Sequence, residues 1–299
     1  MARTPANSRS RRLAFAVLVA LLALLAFAGA AFADALTPES GGSPNADQID
    51  SLYKLVFGVA LVIFVGVEGA LLYSLIKFRA RKGAVAAQIR GNTRLEIGWT
   101  VGAALILVVL AAFTFAKLSS IQNPPNSGAN GLQLADSGTL FASGPSQRLP
   151  PNGRSLNVCV NGQQYIWRYT YAADCSKAPL ASVFSYQEMV VPVDTTVTLD
   201  INAQDVAHSW WIPKLGGKFD AIPGYTNYTW FKIPGKLAGT VFTGQCAELC
   251  GRNHANMTAT VRAVTPSEYE KWLDQRKADI KAADDAAAKQ RAQIEKQLP

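Results

Sequence analysis

Three apolar runs dominate the first 118 positions, at residues 13–33, 52–76 and 95–118. Each is long enough to cross a hydrocarbon layer of about 30 Å as a helix. The first follows Arg3, Arg9, Arg11 and Arg12 and ends in the small-residue sequence Ala31-Phe32-Ala33 before Asp34. That order predicts a signal peptide at 1–33, with an uncleaved third spanning helix as the competing reading. The runs at 52–76 and 95–118 predict two transmembrane helices. From 119 to 155 the chain turns rich in Gly, Pro, Asn and Ser, which reads as a linker. Beyond it come short segments of β character, Leu156–Val160, Tyr165–Tyr171, Met189–Leu199, Tyr228–Ile233, Thr240–Thr243 and Ala259–Val264, separated by Gly, Pro and Asn. They predict an all-β sandwich or barrel over 156–265. In 266–299, Ser267 ahead of Glu270 predicts a capping box opening a solvated polar helix or tail.

Charge turns this pattern into topology. Residues 1–118 hold 12 Lys/Arg against 6 Asp/Glu, and residues 119–299 hold 17 against 15, so +6 of the net +8 belongs to the membrane part. No basic stripe is left on the remainder to follow a phosphate backbone, which argues against a nucleic-acid partner. The loop at 77–94 carries Lys77, Arg79, Arg81, Lys82, Arg90 and Arg94 and no acid, whereas the 34–51 segment carries Asp34, Glu39, Asp47 and Asp50 and no base. The positive-inside rule puts 77–94 in the cytoplasm and both 34–51 and everything after 118 outside the cell membrane. Two carboxylates stand out in the hairpin. Glu68 lies within the first helix, where it faces either a partner subunit or, protonated, the second helix. Glu96 opens the second helix, where a negative charge suits the helix N-terminus.

The chain has only two His and four Cys, and most of them gather in one place. Cys246, Cys250, His254 and Met257 fall within twelve residues, between glycines at 244 and 251 that permit sharp bends. His208 can close a site from a neighbouring loop. Three readings compete: a Cys246–Cys250 disulfide in an oxidising compartment, a zinc site of two Cys and two His, and copper. Met257 favours copper, because a thioether has little use to zinc and is a recurrent weak copper ligand. Two thiolates, two imidazoles and a thioether suffice for two coppers bridged by sulfur. No open coordination position is evident, so the centre reads as an electron relay and not a reaction centre. No Cys-x-x-Cys-His sequence occurs, so a fused c-type haem is excluded.

The segments Cys246-Ala247-Glu248-Leu249-Cys250-Gly251-Arg252-Asn253-His254 through Met257, His208-Ser209-Trp210, Asp220-Ala221-Ile222-Pro223-Gly224 and Leu95-Glu96-Ile97-Gly98-Trp99-Thr100 resemble subunit II of the haem–copper cytochrome c oxidases, from about residue 50 to 273. The resemblance implies a two-helix hairpin carrying a cupredoxin-like Greek-key sandwich. It implies a binuclear CuA centre bridged by Cys246 and Cys250, with His208 and His254 as terminal ligands, Met257 as a weak ligand and the Glu248 carbonyl as a further one. The Glu248 side chain would share Mg2+ with subunit I. Glu96 would stand at the cytoplasmic mouth of a proton pathway. Electrons would pass one at a time from cytochrome c or another redox protein to haem in subunit I, where oxygen is reduced and protons are pumped.

Two positions depart from the family. Tyr165, in Gln164-Tyr165-Ile166-Trp167, stands where the family has the Trp through which electrons arrive, so Tyr165 and Trp167 mark the expected electron-receiving region. Tyr225 stands where an Arg usually follows Pro-Gly. With the nearly neutral exported part, these point to a donor less basic than soluble cytochrome c. The remaining thiols, Cys159 and Cys175, are expected as a disulfide, against two free buried thiols. The competing functions are a CuA donor subunit of a nitric or nitrous oxide reductase and a copper-binding assembly protein. The Glu96 segment disfavours the first and the rigid two-thiolate loop the second.

Overall fold

The computed structural model describes residues 36–79, 83, 85, 88–132, 149–172, 174–175 and 182–296. The predicted signal peptide and part of the 77–94 loop lie outside them. The two apolar runs form α1 (Pro44–Lys77) and α2 (Thr93–Gln122). Both helices are long and apolar enough to cross a membrane. Their outward faces are exposed apolar residues such as Phe64, Leu75, Leu107 and Phe115, and half-buried positions including Leu52, Leu55 and Val59 on α1 and Gly102, Ile106 and Leu110 on α2 recur at helical spacing. Glu68 is half-buried. Asn92 caps α2, its side-chain oxygen accepting from Leu95 N at 3.2 Å, and the Glu96 carboxylate accepts from Asn92 N at 3.3 Å.

α1 begins eight residues before its apolar run, because its first turn docks on the β domain. Asn45, Ala46 and Asp50 are buried there. Asn45 Nδ2 donates to Trp230 O at 2.8 Å, and Lys232 N donates to Ser43 Oγ at 3.1 Å. The end of α2 meets the same strand, Trp230 Nε1 donating to Ile121 O at 3.0 Å, while Lys117 Nζ on α2 reaches Gln48 Oε1 on α1 at 2.7 Å.

The β domain comprises β1 (Leu156–Gln163), β2 (Ile166–Tyr171), β3 (Phe184–Tyr186), β4 (Glu188–Pro192), β5 (Thr196–Ala203), β6 (His208–Trp211), β7 (Phe219–Ala221), β8 (Asn227–Lys232), β9 (Val241–Cys246) and β10 (Thr258–Val264). One sheet runs β3-β2-β1-β5-β8 and the other β4-β10-β9-β6-β7. β1 pairs parallel with β5, and β4 parallel with β10; the other ladders are antiparallel. Alternate side chains of each sheet, among them Val158, Val160, Trp167, Leu199, Ile201, Trp210, Phe242 and Val261, fill the space between. Each such aliphatic contributes about 1.5–3 kcal/mol by leaving water. This is the expected two-sheet sandwich on a two-helix hairpin.

Three local expectations are corrected. Met189–Leu199 is not one strand: it breaks at Val193-Asp194-Thr195, where the chain leaves one sheet for the other. Asp194 sits at φ 55°, its N donating to Ile233 O at 2.7 Å and its carboxylate accepting from Gly235 N at 2.8 Å. The first part of the 119–155 linker is held firmly. α2 continues to Gln122; then Gly128 N donates to Asp194 O at 2.6 Å, Leu132 N to Thr195 Oγ1 at 2.8 Å, and Thr196 N to Ser127 Oγ at 2.9 Å. A Cβ at Gly131 would lie 2.4 Å from Asp194 O, so only glycine fits that crossing.

The last helix, α3 (Pro266–Glu295), starts two residues earlier than the Ser267 capping box predicts. Thr265 is the cap, paired reciprocally with Glu268, because Pro266 suits the first helical position. Its opening turns are packed, not solvated. Tyr269 is buried, and its ring and that of Trp272 lie 6.3 and 5.0 Å from Tyr171, whose hydroxyl accepts from Val190 N and donates to Val190 O. Farther along, α3 is largely exposed and laced by Arg276–Asp279, Lys277–Asp274 and Lys281–Asp285 pairs. Cys159 in β1 is bridged to Cys175 beyond β2, with Cα atoms 5.6 Å apart, so the bond closes the base of the β1–β2 hairpin.

Candidate metal centre

The candidate ligands meet at one end of the sandwich. Cys246 is the last residue of β9, and residues 247–257 loop out before β10 returns, closed at the neck by Cys246 N donating to Met257 O at 2.8 Å. Ala247 N donates to Ser209 O at 2.9 Å, which stitches the loop to β6 next to His208. Gly244 lies where β9 crosses β6 so closely that a Cβ would meet Trp211 O. Gly251 holds φ 130°, and His254-Ala255-Asn256 makes a single 3-10 turn that aims His254 back inward.

The donors form a continuous set. Cys246 Sγ and Cys250 Sγ are 3.9 Å apart. His208 Nδ1 is 3.8 Å from Cys246 Sγ, and His254 Nδ1 is 3.5 Å from Cys250 Sγ. Met257 Sδ lies 3.9 Å from Cys250 Sγ, and the Glu248 carbonyl oxygen 3.3 Å from Cys246 Sγ. The ligand atoms of His208, Cys246 and Cys250 all fall within 4.8 Å of one another. His208, Cys246, Cys250 and Met257 are buried, and His254 is half-buried.

The sulfurs are too far apart for a disulfide, so that reading of Cys246 and Cys250 falls. Two sulfurs each about 2.3 Å from a shared metal stand a little under 4 Å apart at a near-tetrahedral angle, which matches their separation. Six donors, one a thioether and one a carbonyl, exceed the four of a structural zinc and divide evenly around two soft ions. Burial and the neighbouring thiol push the Cys250 thiol up to about 11. The Cys250 thiolate at neutral pH therefore calls for a nearby cation.

The surroundings hold residues that spacing alone did not single out. Asp205 Oδ1 lies 2.9 Å from His208 Nε2, leaving Nδ1 to face the thiols. Desolvation works against the Asp205 carboxylate, but donors from Gln164 N, His208 and Val206 N hold it below its ordinary range. Gln164 Nε2 donates to Cys250 O at 2.6 Å. Gly162 underlies the site, where a Cβ would come within 3.1 Å of the His208 ring. Asp205, three residues before His208, was the one signal open to a sequence reader, since metal-bound His commonly donates to a carboxylate.

The other expected residues take separate places. Trp167 is buried beneath the site, its ring edge-on to His208 at 5.9 Å. Tyr165 is half-buried above it, its hydroxyl over Gly251. The Glu248 side chain is exposed at the rim, and Glu96 lies at the far end of α2. Tyr225 is 60% exposed.

A largely buried six-donor cluster on a β-sandwich, held by a hairpin of two helices long and apolar enough to cross a membrane, defines a candidate metal-binding domain on a membrane anchor. The sequence matches the family model of cytochrome C oxidase subunit II, periplasmic domain, over residues 156–264 and that of the transmembrane domain over residues 31–117. It is 31% identical over 264 residues to cytochrome c oxidase subunit 2 of Alkalihalophilus pseudofirmus, covering 87% of this chain and 67% of that one. It is 32% identical over 255 residues to the same subunit of Cereibacter sphaeroides, covering 80% and 81%. Among solved structures, the periplasmic domain of subunit II of cytochrome oxidase of Bradyrhizobium japonicum aligns at 32% identity and TM-score 0.37, covering 42% of this chain and 95% of that one. The chain belongs to the cytochrome c oxidase subunit II family, whose periplasmic domain binds CuA, and it is a membrane protein.

Proposed function

We propose that the chain is the electron-receiving subunit of a haem–copper oxidase, accepting electrons singly from a redox protein outside the membrane and passing them to haem in subunit I, where oxygen reduction drives proton pumping. The observation that carries this reading is the buried convergence of Cys246, Cys250, His208, His254, Met257 and the Glu248 carbonyl. Bound there, two copper ions supply a centre that takes up and gives up one electron with little rearrangement. Cys246 and Cys250 would hold it through their thiolates, His208 and His254 through their imidazoles, and Met257 and the Glu248 carbonyl as weaker donors. The sandwich supplies a rigid cage and excludes water, since four of the six donor residues are fully buried.

Further roles extend the proposal. The Glu248 carboxylate, exposed at the rim, holds Mg2+ together with subunit I. Glu96, at the arginine-rich end of α2, stands at the mouth of a proton pathway. Tyr165, over Gly251, receives electrons, with Trp167 behind it. Next to Tyr165, Gln164 is exposed and uncharged, and Asp205 is engaged by three donors. That supports a donor with a docking face of low charge.

The test is the full chain in detergent, reconstituted with copper. The expected outcome is two coppers per chain, a near-infrared band and a multiline electron paramagnetic resonance signal from an electron shared between them. A colourless chain holding one zinc would overturn the reading. Fast, steeply salt-dependent reduction of the oxidase by a strongly basic cytochrome c would overturn the low-charge donor.

A further inference from the structure

The copper ligands and the proposed electron-receiving turn are joined by hydrogen bonds at two separate points. One runs through Asp205. Its Oδ1 meets His208 Nε2 at 2.9 Å and accepts from Val206 N at 2.7 Å, and its Oδ2 accepts from Gln164 N at 2.7 Å. The other runs through the Gln164 side chain, whose Nε2 donates to Cys250 O at 2.6 Å. Gln164 and Tyr165 form the turn between β1 and β2, and a Cβ on Gly251 would strike both the Tyr165 hydroxyl at 2.7 Å and Gln164 Nε2 at 3.0 Å. The turn thus rests on the loop that carries Cys250, tied on one side to an imidazole ligand and on the other to a thiol ligand's carbonyl.

We infer that Asp205 and Gln164 are positioning residues that together bracket the β1–β2 turn to both ends of the copper site, so that seating the metal and seating Tyr165 are one event. The inference rests on the copper reading above. A carboxylate is the side chain this place requires. One of its oxygens serves a ring N–H and the other a backbone N–H, and all the groups facing it are donors. An Asn at 205 keeps one acceptor but turns an NH2 toward one of those donors. Gln164 acts differently: its backbone N–H serves Asp205 while its side chain serves Cys250, so removing the side chain cuts one tie and spares the other. Gly162, pressed between Trp167 and the His208 ring, fixes the floor of the same turn.

The experiment uses the full chain in detergent as wild type, Asp205→Ala, Asp205→Asn, Gln164→Ala and Asp205→Ala/Gln164→Ala. Two readouts are taken: copper release to a chelator with the near-infrared spectrum, and hydrogen–deuterium exchange of peptides covering 162–167 with and without copper. Second ties of this kind are worth roughly 10–100-fold in metal retention. Asp205→Ala is expected to release copper in that range faster with an altered spectrum, and Asp205→Asn less so. The double variant is expected to depart from the product of the single effects, as coupled neighbours do. In wild type, copper is expected to slow exchange at 162–167, and either alanine variant to lose that protection. Unchanged spectrum and release in Asp205→Ala, or effects that simply multiply, would overturn the bracket. If wild type binds no copper pair, the copper reading fails separately; the metal-free comparison of wild type with Asp205→Ala then decides whether Asp205 holds the turn, unchanged exchange overturning it.

Discussion

The β domain contains two pairs of cysteines with opposite fates. Cys159 and Cys175 are joined at the base of the β1–β2 hairpin, half-buried, with Asn157 Nδ2 3.4 Å from Cys175 Sγ and no imidazole among their contacts. Cys246 and Cys250 remain apart at 3.9 Å, buried, each beside an imidazole and one beside a thioether. Both pairs share one β domain, so the compartment does not decide between them; geometry and neighbours do. β1 and the segment after β2 bring one pair to bonding distance, whereas the β9–β10 loop spreads the other pair around a space the size of an ion. One pair constrains the chain, and the other is shaped to bind.

This contrast can be broken in graded ways. Cys246→Ala or Cys250→Ala is expected to have the largest effect, abolishing the near-infrared band and the paired-copper resonance while the chain still folds, as circular dichroism would report. Cys159→Ala/Cys175→Ala should leave those signals in place and lower unfolding stability by about 3 kcal/mol, the cost of freeing a loop of this size, measured by denaturant titration. Loss of the copper spectrum in that variant would mean that the two pairs are not independent. Met257→Leu should keep both coppers and shift the optical spectrum and midpoint potential, with a packing cost below about 1.5 kcal/mol for so similar a volume. A further effect concerns the metal-free chain. Because the fold raises the Cys250 thiol from 9.0 to about 11, its contribution to stability is full below pH 9 and is lost as pH rises toward 11. Thermal melts of metal-free chain should fall across that interval, and Cys250→Ala should reduce the slope, the remainder coming from the buried tyrosines Tyr169, Tyr171 and Tyr269, whose hydroxyls burial also holds protonated.

The sequence reveals these regions unequally. The hairpin is legible because an apolar run bounded by charges has no other stable place than a bilayer. The ligand loop is legible because four donors lie within twelve residues and only two histidines exist to be shared. The break at Asp194 is hidden, since the β-branched run of Val and Thr continues on both sides of Pro192 and Asp194, β4 and β5 are both largely buried, and the strand changes sheets without losing its character. β6 and β7, at four and three residues, are too short to show an alternation. The anchoring of 123–132 is invisible in a Gly- and Pro-rich segment because its partners, Asp194, Thr195 and Thr196, are some 70 positions away. Gln164 becomes recognisable only when β1, β6 and the ligand loop are brought together, whereas Asp205 is signalled by its spacing from His208.

Trp230 is held from both sides of the hairpin, its carbonyl by Asn45 at the start of α1 and its indole by the end of α2. The metal-binding head therefore stands on its helices as a turret without a swivel. The direction its ligand loop faces relative to the hairpin is set by contacts with both helices at once. Under the electron-relay function proposed above, the carrier would do the moving, and the distance from this site to the acceptor would stay the same from one electron to the next.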